Sequence, residues 1–224
     1  MLTPDDLAAL RRLNTPTVAN AIETFDVRPR HVGFTGPEIR CMFPEFEPIV
    51  GYAATGTIMA EQPGEGTRNA SRSQYWDYVL SVPGPRIAVL QDLDPPPAVG
   101  SFWGEVNGNI HRALGCIGTI TNGGVRDLDE VRELGFQMFA SAAIVSHAYI
   151  HLIDFSTPVK IGGLVVRSGD LIHADKHGAI IIPLEIARDV PRAAEEVERR
   201  ERRIINYCKS PEFTAAGLRE ITGL

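Results

Sequence analysis

Glu105, Arg126 and Asp127 are the residues of this chain whose types and spacing could do chemistry. Glu105 precedes a predicted helix start at residues 107–109. Arg126 and Asp127 follow the turn Asn122-Gly123-Gly124 and stand at the next predicted helix start. A carboxylate can anchor a hard divalent cation. A neighbouring guanidinium can polarise an oxyanion that develops beside that cation. The free N–H groups of a helix start can hold an anion such as a carboxylate. Together these groups would make a site for a small 2-oxo acid bound to a metal. A plainer reading stays open on spacing alone: Asp127 caps its own helix and Arg126 pairs with Glu105.

The histidines offer weaker constellations. His147 and His151 are four apart and would share a face on a helix or on a strand. No Glu follows His147, so the pattern lacks the acid of a helical zinc hydrolase, and His147 reads better as a group shaping a site wall. His173, Asp175 and His177 alternate, but His177-Gly178 looks like a hairpin turn, which favours a structural role. His111 falls on the helix after Glu105 and could face either the site or solvent. Trp103 reads as core before pocket wall.

The elements that must position these groups follow from periodicity and punctuation. Thr3 and Pro4 open a helix with Leu7, Leu10 and Leu13 on one face, and Thr15-Pro16 restarts one through Phe25. Residues 27–48 read as a long connection. Ile49 to Ala60 reads as a strand, Glu61 to Arg72 as a mobile loop, Tyr75 to Val82 as a short helix and Ile87 to Leu90 as a buried strand. Three consecutive prolines make Asp94 to Gly100 a loop. A helix then runs from residues 107–109 to a stop at Gly115. Ile117 to Thr121 is a strand. A capping box at Asp127 opens a helix that ends at Gly135, and Phe136 to Ala140 is the next strand. Such a strand–turn–helix–strand unit places ligands beyond the carboxyl end of its strand. Ala143 to Phe155 holds short strands, and Val159 to Ile182 reads as a meander with turns at Gly162-Gly163, Ser168-Gly169 and His177-Gly178. Glu185 to about Tyr207 is a long helix with Glu195/Arg199, Glu196/Arg200 and Glu198/Arg202 at favourable spacing.

The 224 residues suit a single domain with an ordinary soluble composition, 44% hydrophobic and 22% charged. The formal net charge of −6 argues against a nucleic-acid-coating surface. No run of about 18 apolar residues suggests a membrane span, and the first ten residues lack a signal pattern, so the expected location is cytoplasmic. Cys41, Cys116 and Cys208 form no metal or redox motif and are expected as free, mostly buried thiols.

Several of these stretches together resemble the RraA-like family: Gly104-Glu105, Ala113 to Gly118, Asn122 to Asp127, Gly162-Gly163, Ser168 to Asp170, and Ala174-Asp175 through Gly178 to Pro183. The family includes metal-dependent 4-hydroxy-4-methyl-2-oxoglutarate/4-carboxy-4-hydroxy-2-oxoadipate aldolases and regulators of ribonuclease E activity. The resemblance covers roughly residues 15–183. Its most specific part is an acid, twenty residues, then Arg-Asp; the aldolases carry Asp first where this chain has Glu105. The extra methylene keeps the carboxylate and shifts its reach.

The resemblance implies an α/β fold, a β-β-α layered, swivelling-type domain with N- and C-terminal helices. Its core would span about 15–183, with a helical extension over about 185–224. It also implies homotrimers or dimers of trimers with sites between subunits. Asp127 would anchor Mg2+ or Mn2+, and Glu105 would hold the ion's waters. Backbone N–H groups of Val106, Asn107 and Gly108 would bind the carboxylate of a small 2-oxo acid substrate. Arg126 and the metal would stabilise a pyruvate enolate released from a 4-hydroxy-2-oxo acid, with a base acting through water on the C4 hydroxyl. Oxaloacetate decarboxylation at the same site is the alternative activity. A ribonuclease-binding regulator would not need the acid and Arg-Asp that this chain retains. A methyltransferase would need a Gly-rich adenosine-binding turn near the N-terminus, and the sequence has none.

Overall fold

The computed structural model describes residues 2–64 and 69–223. Two helices open the chain, α1 (Pro4–Arg11) and α2 (Thr15–Glu23). Thr3 and Asp6 form a reciprocal capping box on α1, and Asn14 caps α2 by accepting from the Thr17 N–H. The connection through residues 27–48 contains the two-residue strand β1 (Arg40–Cys41).

The main sheet is built around β2 (Ile49–Met59). One edge of β2 pairs in parallel with β3 (Arg86–Asp92), which is followed outward by β5 (Cys116–Thr121), β7 (Gln137–Ala140) and the antiparallel β1. The other edge is divided. Its first half pairs with β12 (Leu171–Asp175), which continues to β13 (Gly178–Ile182). Its second half pairs with β9 (His151–Phe155). The crossovers between the parallel strands carry α3 (Arg72–Ser81), α4 (Glu105–Ala113) and α5 (Leu128–Leu134).

Pleat alternation divides the apolar residues between two cores. On β3, Ala88 and Leu90 join a large core with Val18 of α2, Val79 of α3 and Val131 of α5. Ile87 and Val89 point the other way, into a second core closed by β10 (Val159–Ile161) and β11 (Leu164–Val166). The layers are therefore hairpin, sheet and helices. Two-sided burial explains why β3 reads as a continuous apolar run.

The predicted meander divides into two hairpins. Strands β10 and β11 pair only with each other, whereas β12 and β13 extend the main sheet. The turn at Arg167–Asp170 makes this break: Ala53 N–H donates to Asp170 O and Gly169 N–H to Ala53 O, so the chain is stitched to β2.

The C-terminal helix α6 (Val190–Cys208) packs on α2 through Val190, Ala193, Ala194 and Val197, and α7 (Ala215–Thr222) buries no residue. The three predicted Glu/Arg pairs do not close. Arg192 pairs instead with Asp189 and Glu196. The cysteines are free, with Cys116 buried and Cys208 exposed. Among the described residues no helix is long and apolar enough to cross a membrane.

Candidate functional site

A small parallel sheet brings the chemistry-bearing residues together. It consists of β4 (Ser101–Trp103), β6 (Gly124–Val125) and β8 (Ala142–Ala143). Trp103 and Val125 lie side by side in register, so the residues that follow each of them are neighbours. Arg126 N–H donates to Trp103 O at 3.0 Å, and Ser101 Oγ lies 2.5 Å from Trp103 O and 2.9 Å from Gly124 O. The twenty residues between Glu105 and Arg126 are thus one helix and one main-sheet strand, returning the chain to the starting edge.

Asp127 departs from the predicted capping box. It sits in the left-handed region at φ 53°, ψ 47° and makes no side-chain cap to α5. Its Oδ2 instead accepts from the Glu105 N–H at 3.0 Å, across the gap between the strands. Gly104 makes room for this contact, because a Cβ there would collide with Asp127 Oδ2. Arg126 Nε lies 3.7 Å from the same oxygen. Neither half of the plainer reading forms: Asp127 does not cap its helix, and Arg126 pairs with Asp127, not Glu105.

Glu105 contributes differently from expectation. Helix α4 starts at Glu105 itself, capped by Gly104 and not by Asn107 or Asn109. The Glu105 side chain is exposed and, among the described residues, lies outside the cleft lining and makes no ion pair. Its backbone N–H is what touches the site. Gly108 is also displaced from its expected role. Its N–H donates to Gly104 O at 2.8 Å, and its α-carbon faces Leu134 and Val131. The N–H groups of Val106 and Asn107, in the first turn of α4, have no acceptor within the helix, and both residues line the cleft.

The cleft measures about 520 Å³. Arg126, Asp127, Gly104, Val106 and Asn107 form one wall, and His147 to His151 another. Arg72 adds a second guanidinium at the start of α3, 5.8 Å from the Phe102 ring centroid. The predicted loop Glu61 to Arg72 includes residues 65–68, which lie outside the described residues; Pro63, Gly64 and Asn69 beside them reach the cleft. Sequence reasoning missed Arg72 and Asn69. The helix-capping type of Ser71, which accepts from Gln74 N–H, was the only local signal.

His147 and His151 share no regular element. His151 begins β9, whereas His147 lies in the preceding loop. Both nonetheless line the cleft. His111 points into the core. Its Nδ1 lies 2.7 Å from Asn107 O, its Nε2 lies 3.2 Å from the Tyr75 hydroxyl, and Trp103 packs edge-on against it. The carbonyl can only accept, so Nδ1 carries the proton and Nε2 accepts from Tyr75. Burial holds the His111 imidazole down to about 4. Asn107 Nδ2 donates to Phe102 O at 2.6 Å, so this buried chain fixes the first turn of α4 from behind.

His173 and Asp175 are structural. His173 bridges Thr15 Oγ1 and the carbonyls of Leu10 and Leu13, tying β12 to the N-terminal helices. Burial raises the Asp175 carboxyl, but the N–H bonds from Thr15 and His177 outweigh it and leave the group below its ordinary value. Trp103 is core, at 1% exposure.

Among the described residues no three His, Cys, Asp or Glu side chains converge as a metal cage. Asp127 offers a single carboxylate, whose Oδ1 takes no hydrogen bond among the described residues. That donor set fits Mg2+ or Mn2+, which keep most of their waters and need only one or two protein carboxylates. It does not fit a structural zinc site, which needs four protein ligands.

Residues 15–181 match the family model RraA-like, described as Aldolase/RraA. The chain is similar to Protein DlpA of Legionella pneumophila, 23% identical over 70% of this chain and 25% of that protein. A Halalkalibacterium halodurans protein, provisionally named a 4-hydroxy-4-methyl-2-oxoglutarate aldolase, is 30% identical over 42% of this chain and 47% of its own. The matched segments thus span a quarter to a half of the curated relatives. Among solved structures, a Pseudomonas syringae protein of uncharacterised function superposes with a TM-score of 0.76 at 24% identity, covering 99% of this chain and 94% of that one. Streptomyces coelicolor RraAS2, described as an unusual member of the RNase ES inhibitor RraA protein family, gives 0.68 at 21% identity, covering 90% and 97%. These likenesses establish the fold. With three-quarters of its length matched by the family model, the chain belongs to the RraA-like family.

Proposed function

We propose that this protein is a divalent-metal-dependent carbon–carbon lyase that cleaves a 4-hydroxy-2-oxo acid and releases pyruvate. One observation carries the reading: the Asp127 carboxylate, the Arg126 guanidinium and the open N-terminus of α4 converge on one cleft. The family also contains ribonuclease regulators, and the anion-binding and metal-anchoring groups retained here favour catalysis over a purely binding role.

Asp127 would hold Mg2+ or Mn2+ through its free oxygen, and the ion when bound would supply Lewis acidity at the substrate's oxo group. The N–H groups of Val106 and Asn107 receive the 1-carboxylate, aided by the positive end of the helix. Arg126 stands beside Asp127 and stabilises the negative charge that grows on the 2-oxygen as the C3–C4 bond breaks. Its planar, forked donors suit an oxygen that gains charge during the reaction. Glu105 acts through its backbone, which fixes Asp127. Oxaloacetate decarboxylation passes through the same enolate, so the same residues would support it as a second activity. The reading also carries a homotrimer or dimer of trimers, which sedimentation in solution measures; a monomer would remove that part.

The test is pyruvate release from 4-hydroxy-4-methyl-2-oxoglutarate by chelator-treated protein, before and after Mg2+ is restored. Release that returns with Mg2+ supports the reading. Folded protein that releases no pyruvate from this substrate or from oxaloacetate contradicts it.

A further inference from the structure

Aldol cleavage needs a group that removes the C4 hydroxyl proton, and the cleft holds few candidates. Its titratable side chains among the described residues are Arg72, Arg126, Asp127, His147, Tyr149 and His151, and a neutral phenol is a far weaker base than a neutral imidazole. An arginine does not act as a base. Asp127 is engaged by the Glu105 N–H and by Arg126 through Oδ2, and its remaining oxygen is the cation's. Two imidazoles remain.

Their tautomers are fixed by the backbone. His147 Nδ1 lies 2.7 Å from Ala148 O, and His151 Nδ1 lies 2.7 Å from Tyr149 O. A carbonyl oxygen only accepts, so Nδ1 is the donor in both rings. In the neutral form each lone pair is therefore on Nε2, where no hydrogen bond occupies it among the described residues.

The two rings differ in support. His147 is exposed in the loop before β9. His151 is the first residue of β9, paired across the sheet with Met59 of β2, and is half-buried. A strand-mounted, half-buried ring is held to one orientation more closely than a loop-borne one.

We propose that His151 is the general base of the cleavage, an assignment that rests on the lyase reading above. Nε2 takes the proton from the C4 hydroxyl. The C4–O bond becomes a carbonyl, the C3–C4 bond breaks, and its electron pair forms the C2–C3 double bond with the negative charge on the 2-oxygen. Solvent water protonates C3 and His151 releases its proton to solvent, giving pyruvate and the second carbonyl product with no net proton change. While the ring is charged, its Nδ1–H bond to Tyr149 O becomes charge-assisted and stronger, which supports the intermediate state.

His151→Gln separates this role from a structural one, because oxaloacetate decarboxylation has no hydroxyl proton to remove. Wild-type and variant are compared on 4-hydroxy-4-methyl-2-oxoglutarate and on oxaloacetate with Mg2+. The expected result is a fall in cleavage kcat of about 100-fold or more, the usual weight of a general base, with decarboxylation held within about threefold, well under that weight. Added imidazole should partly restore cleavage by His151→Ala. Equal loss of both activities, unchanged cleavage, or a loss that follows His147→Gln instead would overturn the assignment. If wild-type protein performs neither reaction, the lyase reading itself has failed and the base falls with it.

Discussion

Asp127 holds a left-handed backbone that costs a residue with a β-carbon about 1–2 kcal/mol, and it does not cap the helix it precedes. The strain turns its carboxylate back toward Gly104 and the Glu105 N–H, which is where a site needs it. Gly104→Ala would push a methyl into Asp127 Oδ2; overpacking of this kind costs about 1–3 kcal/mol. The expected outcome is a loss of pyruvate release of about tenfold or more with the protein still folded, read by kcat and by circular dichroism. Arg126→Lys should lower kcat by about 100-fold, the weight of one donor to a developing oxyanion, and steady-state kinetics would show it. His111 supplies a pH signature. Burial lowers its folded-state affinity for a proton, from the ordinary 6.5 to about 4. As pH falls below about 6.5 the unfolded chain takes up a proton that the folded chain refuses, so stability falls with acidification until about pH 4 and this contribution then levels off. Up to roughly 3 kcal/mol is at stake. Imidazole NMR shifts should report His111 still neutral at pH 5.

At the scale of elements, the strand pair β4–β6 matters more than its length suggests. Its register sets Gly104-Glu105 against Arg126-Asp127, and the buried Ser101 hydroxyl bridges both strands. Ser101→Ala should cost about 1 kcal/mol, the net weight of one hydrogen bond, and lower the denaturant midpoint accordingly. Much of this level was legible. Gly115 and Gly135 end their helices at positive φ, as their positions after an apolar stripe predict. The strands that flank α4 and α5 also fall where β-branched residues put them. What failed was local capping chemistry. Asp127 and Asn107 are capping types, yet tertiary contacts claimed both: the Glu105 N–H binds one and Phe102 O the other. Arg72 could not be joined to the His147–His151 wall from sequence, because the two reach the cleft from separate segments and carry no shared periodic mark.

The whole molecule is a sheet buried on both faces, with helices on one side and the β10–β11 hairpin on the other. That arrangement sets the small β4–β6–β8 sheet and its cleft beside the main sheet's parallel strands, at the turns that follow β5 and β3. Resemblance carried this architecture better than composition, which pointed to an ordered chain without a long apolar run but could not choose among α/β folds. Helix α4 begins at Glu105, earlier than its capping residues suggest, and leaves the Glu105 carboxylate exposed. None of the residues of helix α7 is buried within this chain, and a trimeric or hexameric mass in sedimentation would give it a further place to pack. The central claim, that Asp127 anchors the metal-dependent release of pyruvate, is tested most directly by one comparison. Chelated wild-type and Asp127→Ala protein are given 4-hydroxy-4-methyl-2-oxoglutarate, and pyruvate is followed as Mg2+ is added. Wild-type turnover that rises with Mg2+ while the variant stays at the no-metal baseline is the predicted result. A variant that responds to Mg2+ as the wild type does would contradict the account.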